Sequence, residues 1–346
     1  MNNQGNNQFS IRSINLRDII VYLISLATGI GLLIYTFRGV SLKEIGVELS
    51  NINYFYLLLF VFIIFLGTFL RALRWKYMII SFKENVRLKN LLEAVIIGYG
   101  VNVALPRFGE IARSLYIGSA ERISRSSALG TIVVERVFDL IFLILSVLIS
   151  LLIFGDELSS RYGWIYNSIY FGTVILIFAF VFLFLVIKFQ NIIVEKIDKL
   201  FNKLNLKLFN RATEITSKVI DGFDSIKTKE NYFMIFILSA VLWFTYAFGS
   251  YIGLLALNMD KIQHVDFASG LIIMSITTFG IMIPIPGSTG SYHAFCKSVL
   301  TMLLGFDVKI SLAYAVLTHL LNTLPFVIVT SYILIKKGIK KSFSWN

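Results

Sequence analysis

The residues best equipped for chemistry are polar groups set inside apolar sequence. Residues 102–113 read NVALPRFGEIAR and place Asn102, Pro106, Arg107, Gly109, Glu110 and Arg113 directly after the apolar run LLEAVIIGYGV. The stretch LGTIVVERVFDLIFLIL holds Glu135, Arg136 and Asp139. A third group, PIPGSTGSYHAF at 284–295, contributes Pro286, Gly287, Gly290 and His293, and His319 follows. A charge at the centre of a bilayer costs about 2.5–3.5 kcal/mol on insertion scales, so three on one helix demand partners or water. Glu135 and Asp139 are four apart, on one helix face, where like charges repel unless a cation lies between them. Two readings stand. One is a structural ion-pair network joining Glu135 or Asp139 to Arg107 or Arg113; the other is direct handling of a ligand or a proton.

The elements that must hold these residues are membrane spans. Of 346 residues, 57% are hydrophobic and 15% charged, and mean hydropathy is +0.77, far too apolar for a soluble chain of this size. Strong spans fall near 19–37, 54–73, 127–153, 164–187, 231–256 and 310–335, with weaker apolar segments at 91–105 and 266–283. This predicts an all-α, multi-spanning membrane protein: about six full spans plus two re-entrant helical hairpins in an inverted-topology repeat. Residues 1–17 form a polar tail, and 18–340 a single transmembrane domain. The halves are 54–153 and 231–335. Lysine-interleaved apolar positions at 190–228 predict amphipathic helices on the inner leaflet. No A-x-A pattern follows the first span, so a retained signal anchor is expected. One cysteine, Cys296, excludes an internal disulfide framework.

Charge placement sets the expected orientation. Of 32 basic residues, 25 lie in the N-terminal tail, 71–89, 107–125, 188–229 and the tail after 335, all of which thread to one side. By the positive-inside rule that side is the cytoplasm, with both termini there and the protein in the cytoplasmic membrane. The net charge of +12 is then a topology signal, not a nucleic-acid footprint. The piece 90–126 enters and leaves on the cytoplasmic side, and 266–306 on the external side. Each becomes a hairpin with Pro106 or Pro286 at its tip. Charge and irregular backbone at membrane depth survive only inside protein or beside a watery cavity. Two half-helix N-termini facing each other near the midplane would suit an anion.

The residues Asn102, Leu105, Pro106, Gly109, Glu110 and Arg113, then VVERVFDL at 133–140 and PIPGSTG at 284–290, together resemble the flippase-like transmembrane family related to the membrane region of lysylphosphatidylglycerol synthase. The resemblance spans about 15–340. It implies movement of a lipid or lipid-linked intermediate between leaflets, here without the family's soluble synthase domain. This chain departs from the family pattern at His293, where relatives carry Glu, and near His319, where relatives often carry Arg. A His/His pair keeps polar partners, removes fixed charge and titrates near neutrality. The bland alternative is two satisfied core histidines.

The expected substrate is an anionic phospholipid or a polyprenyl-phosphate-linked intermediate, bound by the fourteen residues named in the three groups above. Alternatives are an integral-membrane enzyme acting on a lipid phosphate through Glu110 and Glu135, and a membrane scaffold. A homo-oligomer or a separately encoded transferase is the expected protein partner. No cofactor or metal is expected, because no third ligand accompanies the histidines and no nucleotide or hydrolase motif occurs. RALRWK, 71–76, reads mainly as interfacial anchoring, with snorkelling Arg71 and Arg74 and interfacial Trp75, and secondarily as headgroup contact.

Overall fold

Long apolar runs fold as helices because lipid offers no partner for a free backbone N–H or C=O. The computed structural model describes residues 16–80, 83–161 and 229–338, with positions 174, 177 and 178. Every regular element among them is helical. In chain order they are α1 (Leu16–Phe37), α2 (Leu42–Ser50), α3 (Tyr54–Ile79), α4 (Leu88–Ala104), α5 (Phe108–Glu121), α6 (Arg125–Arg161), α7 (Lys229–Ala256), α8 (Phe267–Met282), α9 (Ser291–Ser298) and α10 (Val308–Lys337). Five of these, α1, α3, α6, α7 and α10, contain stretches long and apolar enough to cross a membrane. The protein is an all-α, multi-pass membrane protein. The expected span at 164–187 and the amphipathic segment at 190–228 lie outside the described residues, apart from isolated positions.

The remaining apolar helices are short. With 17 and 16 residues, α4 and α8 reach only about 25 Å, less than the ~30 Å hydrocarbon thickness. Each is followed by a proline-containing break and a second helical arm, as the sequence predicts. Pro106 stops α4, and Arg107 turns the chain with a left-handed backbone, φ +66°, so that α5 runs back beside α4. In the second hairpin, Gly287 and Gly290, at φ +58° and +95°, supply the same reversal without a Cβ penalty. One element departs from expectation. Residues 42–50, between the first two expected spans, form α2, because Ser41 and Glu44 make a reciprocal capping box.

Two interfaces fix the relative direction of the helices. Asn53 N–H donates to the Ala256 carbonyl at 2.8 Å, a Cβ on Gly67 would lie 3.1 Å from the Tyr246 ring, and Arg74 Nη1 reaches Ser239 Oγ at 3.0 Å. Residue numbers rise along α3 as they fall along α7, so the two are antiparallel. Likewise α4 and α10 run antiparallel, through the Glu93–Lys337 ion pair, the bond from Thr330 Oγ1 to Ile96 O at 2.9 Å, and the neighbouring Tyr99 and Phe326 rings.

The contacts pair up when α3–α6 are exchanged for α7–α10. The pairs α3–α4, α4–α5 and α5–α6 correspond to α7–α8, α8–α9 and α9–α10, and α4–α10 corresponds to α8–α6. A rotation exchanging antiparallel α3 and α7 must have its axis across the helices, which gives the halves opposite orientation. The middle of α1 bridges both hairpin tips. Tyr22 OH donates to Ala104 O at 3.3 Å and Ser25 Oγ to Pro284 O at 2.5 Å.

Candidate functional site

The charged residues of the first half converge on one buried cluster. Helix α6 presents Glu135 and Asp139 one turn apart on the face that meets α3 and α5. Helix α3 supplies Arg71 and Arg74, which differ by three residues and therefore share a face. Arg71 Nε lies 2.6 Å from Glu135 Oε1 and its Nη2 2.9 Å from Asp139 Oδ2. Arg74 Nη2 lies 2.7 Å from Asp139 Oδ1 and 3.5 Å from Glu135 Oε1. Helix α5 supplies Arg113, whose two terminal nitrogens fork onto Glu135 at 3.1 and 2.9 Å. Neutral donors and acceptors complete the shell: Tyr99 OH accepts from Arg71 Nη1 at 2.8 Å, and Ser239 Oγ accepts from Arg74 Nη1.

Burial divides this cluster in two. Glu135 and Arg74 have no exposed side-chain area, and Arg113 has 4%. Arg136 is different: 46% of its side chain is exposed, and its carboxylate contacts are long. They measure 3.7 Å to Glu110, 3.7 Å to Glu135 and 3.4 Å to Asp139. Glu110 Oε2 is buried without a hydrogen-bond partner among the described residues. Counting Arg71, Arg74, Arg113 and Arg136 against Glu110, Glu135 and Asp139, the cluster carries one surplus positive charge, and its most open cation is Arg136. Val133 and Leu140, on the same stripe of α6 as Arg136, are exposed apolar side chains. A polar headgroup at Arg136 would thus have apolar surface on either side for its chains.

The fold departs from several of these expectations. Arg71 and Arg74 do not snorkel at an interface; they lie inside the protein, because two carboxylates on α6 face them. Trp75 is fully buried, its Nε1 donating to Thr131 Oγ1 at 2.8 Å while the Arg113 guanidinium lies over its ring at 4.2 Å. Arg107 forms no part of the ion network, since the turn at Pro106 leaves it exposed at the tip. Asn102 uses its side-chain oxygen within the hairpin, accepting the Gly109 N–H at 2.7 Å. Gly109 allows the arms to touch, because a Cβ there would overlap the Gly98 carbonyl.

The histidines meet. His293 on α9 and His319 on α10 have ring centres 4.7 Å apart. His319 Nε2 donates to the Gly287 carbonyl at 2.8 Å, and His293 Nδ1 accepts from Gly290 N–H at 3.4 Å. Pro286 and Gly287 form the tip against α4, where a Cβ on Gly287 would lie 3.4 Å from Val103. Among the described residues, no group of three or more His, Cys, Asp or Glu is arranged to hold a metal.

Sequence reasoning missed Tyr99 and Ser239 and underrated Arg71 and Arg74. A signal existed for the arginines: two cations three apart near one end of a span match two carboxylates four apart near the same end of another. For Tyr99 and Ser239 there was none, since a tyrosine or serine in a span is ordinary.

Comparison with known proteins bears on this geometry. The family described as the lysylphosphatidylglycerol synthase TM region matches residues 22–330. A relative, UPF0104 membrane protein MJ1595 of Methanocaldococcus jannaschii, is 31% identical over 103 residues, which is 29% of this chain and 31% of that protein. The chain therefore spans about a third of the length of this relative.

Proposed function

The chain belongs to the lysylphosphatidylglycerol synthase transmembrane-region family, and from that premise we propose that it moves an anionic lipid, or a lipid-linked phosphate, between membrane leaflets. The observation that carries this reading is Arg136: a half-exposed guanidinium with loose carboxylate contacts, in a cluster holding one surplus positive charge, flanked by exposed apolar side chains. A planar guanidinium forks onto two phosphate oxygens, while Arg71, Arg74 and Arg113 are already held by short contacts. On this reading the three buried arginines keep Glu135 and Asp139 in place, and Arg136 exchanges Glu110 for the incoming phosphate. The face where α3 and α10 end carries Lys76, Lys83, Arg87, Lys336 and Lys337, and is assigned to the cytoplasm. Rocking of one half against the other gives alternating access.

The competing reading is acid–base chemistry on a lipid phosphate. It needs both carboxyl groups of the acid–base pair open to substrate, and while Glu110 keeps 27% of its side chain exposed, Glu135 is enclosed by guanidinium donors with none of its side chain exposed. This favours translocation. The test uses purified protein in phosphatidylcholine liposomes containing a trace of phosphatidylglycerol labelled with a dithionite-quenchable dye. Protein-dependent exchange of the label between leaflets is expected, and Arg136→Gln should slow it by about tenfold or more, the loss of one charge-assisted hydrogen-bonded contact. Arg136→Lys should remain impaired, because ammonium lacks the fork. No exchange by the wild type, with release of a water-soluble headgroup product instead, would turn the assignment to enzyme.

A further inference from the structure

Glu110 is the loosely held carboxylate of the first-half cluster. It lies in the first turn of α5, its Oε1 3.7 Å from Arg136 Nη2. Its Oε2 is buried and has no hydrogen-bond partner among the described residues. The other two carboxylates are differently placed. Glu135 accepts from Arg71 at 2.6 Å and from Arg113 at 3.1 and 2.9 Å, and Asp139 accepts from Arg71 at 2.9 Å and Arg74 at 2.7 Å. Both keep these bonds whichever way Arg136 turns. Glu110 does not. Helix α5 itself brings Arg107, exposed at the tip one turn earlier, and Arg113, committed to Glu135 one turn later. Helix α6 brings Arg136, with Glu135 and Asp139 beside it. Helix α4 brings Tyr99, whose hydroxyl accepts from Arg71, and, at the open end of the hairpin, Glu93 paired with Lys337. Of these cations only Arg136 is within ion-pair distance of Glu110.

We propose that Glu110 takes up a proton each time Arg136 turns to a lipid phosphate, so that the anionic headgroup crosses the membrane together with one proton. This rests on the translocation reading above. The physical reason is the pair of like charges that loading creates. Once Arg136 forks onto phosphate, an ionised Glu110 has lost its countercharge and stands beside a second anion at membrane depth. The surplus charge of the cluster does not relieve it, because Arg71, Arg74 and Arg113 are committed to Glu135 and Asp139. Two anions crowded into one partly buried site hold a proton between them. The unpartnered Oε2 is the atom with room for it, and the 27% of the Glu110 side chain that is exposed gives water access. The proton comes from water on the loading side and adds to the carboxylate. It returns to water on the far side when the headgroup leaves and Arg136 comes back to Glu110. A phosphodiester and a proton together carry no net charge, so the loaded step is electroneutral. Glu135, bonded to three arginines and fully enclosed, has no such freedom.

The experiment uses the same labelled-phosphatidylglycerol liposomes, with protein-free liposomes as baseline, and reads the steady-state leaflet distribution with dithionite. At a pH difference of about one unit, one-to-one coupling should enrich the label about tenfold in the leaflet facing the alkaline side. A potassium gradient with valinomycin, which sets a voltage without a pH difference, should leave the distribution even. Glu110→Gln is already neutral, and exchange needs only the loaded form, so this variant should equilibrate the label evenly despite the pH difference. Glu110→Ala is read in its place if Gln lowers the thermal midpoint in detergent, with the same expectation. If the wild type exchanges no label, the translocation reading fails. If the wild type exchanges label but distributes it evenly under the pH difference, or shifts it under voltage, the proton coupling alone is overturned, and Arg107 is the better candidate for the replacement countercharge. Variants that keep the wild-type enrichment would overturn the assignment to Glu110. So would a Glu110→Gln protein that keeps the wild-type midpoint and exchanges no label.

Discussion

The two hairpins share one backbone plan and are held by different physics. The first is held by charge. Arg113 in its second arm forks onto Glu135, and at its open end Glu121 accepts from Lys83 Nζ at 2.7 Å, Asn90 Nδ2 at 2.6 Å and Arg87 N–H at 3.2 Å. The second is held by shape and neutral hydrogen bonds. Gly290 packs so closely on α1 that a Cβ would overlap the Gly29 carbonyl, and Ser291 Oγ donates to Gly280 O at 2.7 Å. A buried ion network tolerates no loss of a member, whereas a close-packed neutral turn tolerates polar exchange but no added volume. The same topology therefore puts its vulnerability in side-chain charge on one side and in backbone clearance on the other.

The largest expected effect breaks the charged side. Glu135→Gln leaves Arg71 and Arg113, with 8% and 4% side-chain exposure, facing a neutral amide. Stranding one partner of a buried ion pair costs about 3–5 kcal/mol, so this variant should lose monodispersity or fall steeply in thermal midpoint in detergent. The corresponding neutral exchange in the second half, His293→Gln, should leave the midpoint unchanged. Equal losses in both would erase the distinction.

Next comes added volume on the neutral side. Gly290→Ala must accommodate a Cβ at φ +95° against the Gly29 backbone, and strain of this kind costs about 1–3 kcal/mol. Detergent unfolding should report it, and Ser288→Ala at the same tip should be silent, because its hydroxyl makes only a 3.3 Å bond to Ile281 O. A Gly290 variant as stable as wild type would mean that α1 does not press on the tip.

The smallest effect concerns the open end of the first hairpin and is visible through pH. Burial pushes the Glu121 carboxyl up, but Lys83, Asn90 and the Arg87 N–H outweigh it and hold it below the usual 4.5. A carboxylate with a depressed folded value adds stability above its unfolded value and loses it as pH falls. Glu121→Gln should cost roughly 1 kcal/mol near neutrality. Its unfolding midpoint should converge on the wild type as pH drops below 4.5. A gap that persists unchanged at pH 3 would assign the loss to packing.

The sequence was most legible where lipid imposes the rule. The all-α class, the long helices at α1, α3, α6, α7 and α10, and the breaks at Pro106 and Pro286 all follow from the requirement that backbone polar groups be satisfied without water. The cost of Glu135 and Asp139 announced that they need partners or water, without saying which. What the pattern could not supply was the partner list. Arg113 was named, Arg107 was named in error, and Arg71 and Arg74 were assigned to the interface. Position along a helix gives depth, but only packing says which face turns inward. Trp75 shows the same ambiguity, since a tryptophan near a helix end suits a lipid headgroup and a core equally.

Composition and spacing by themselves determined that this chain crosses a membrane, where it turns back inside it, and which charges are too costly to leave alone. Those are properties of each residue against its solvent, readable one helix at a time. Only the tertiary structure decided that Arg136 is the open cation while Arg71, Arg74 and Arg113 are buried against carboxylates, and that His293 and His319, 26 residues apart in sequence, face each other rather than lying on separate surfaces. Those depend on how antiparallel helices set their relative rotation, which is fixed by side-chain packing between segments far apart in sequence and leaves no periodic trace in either one.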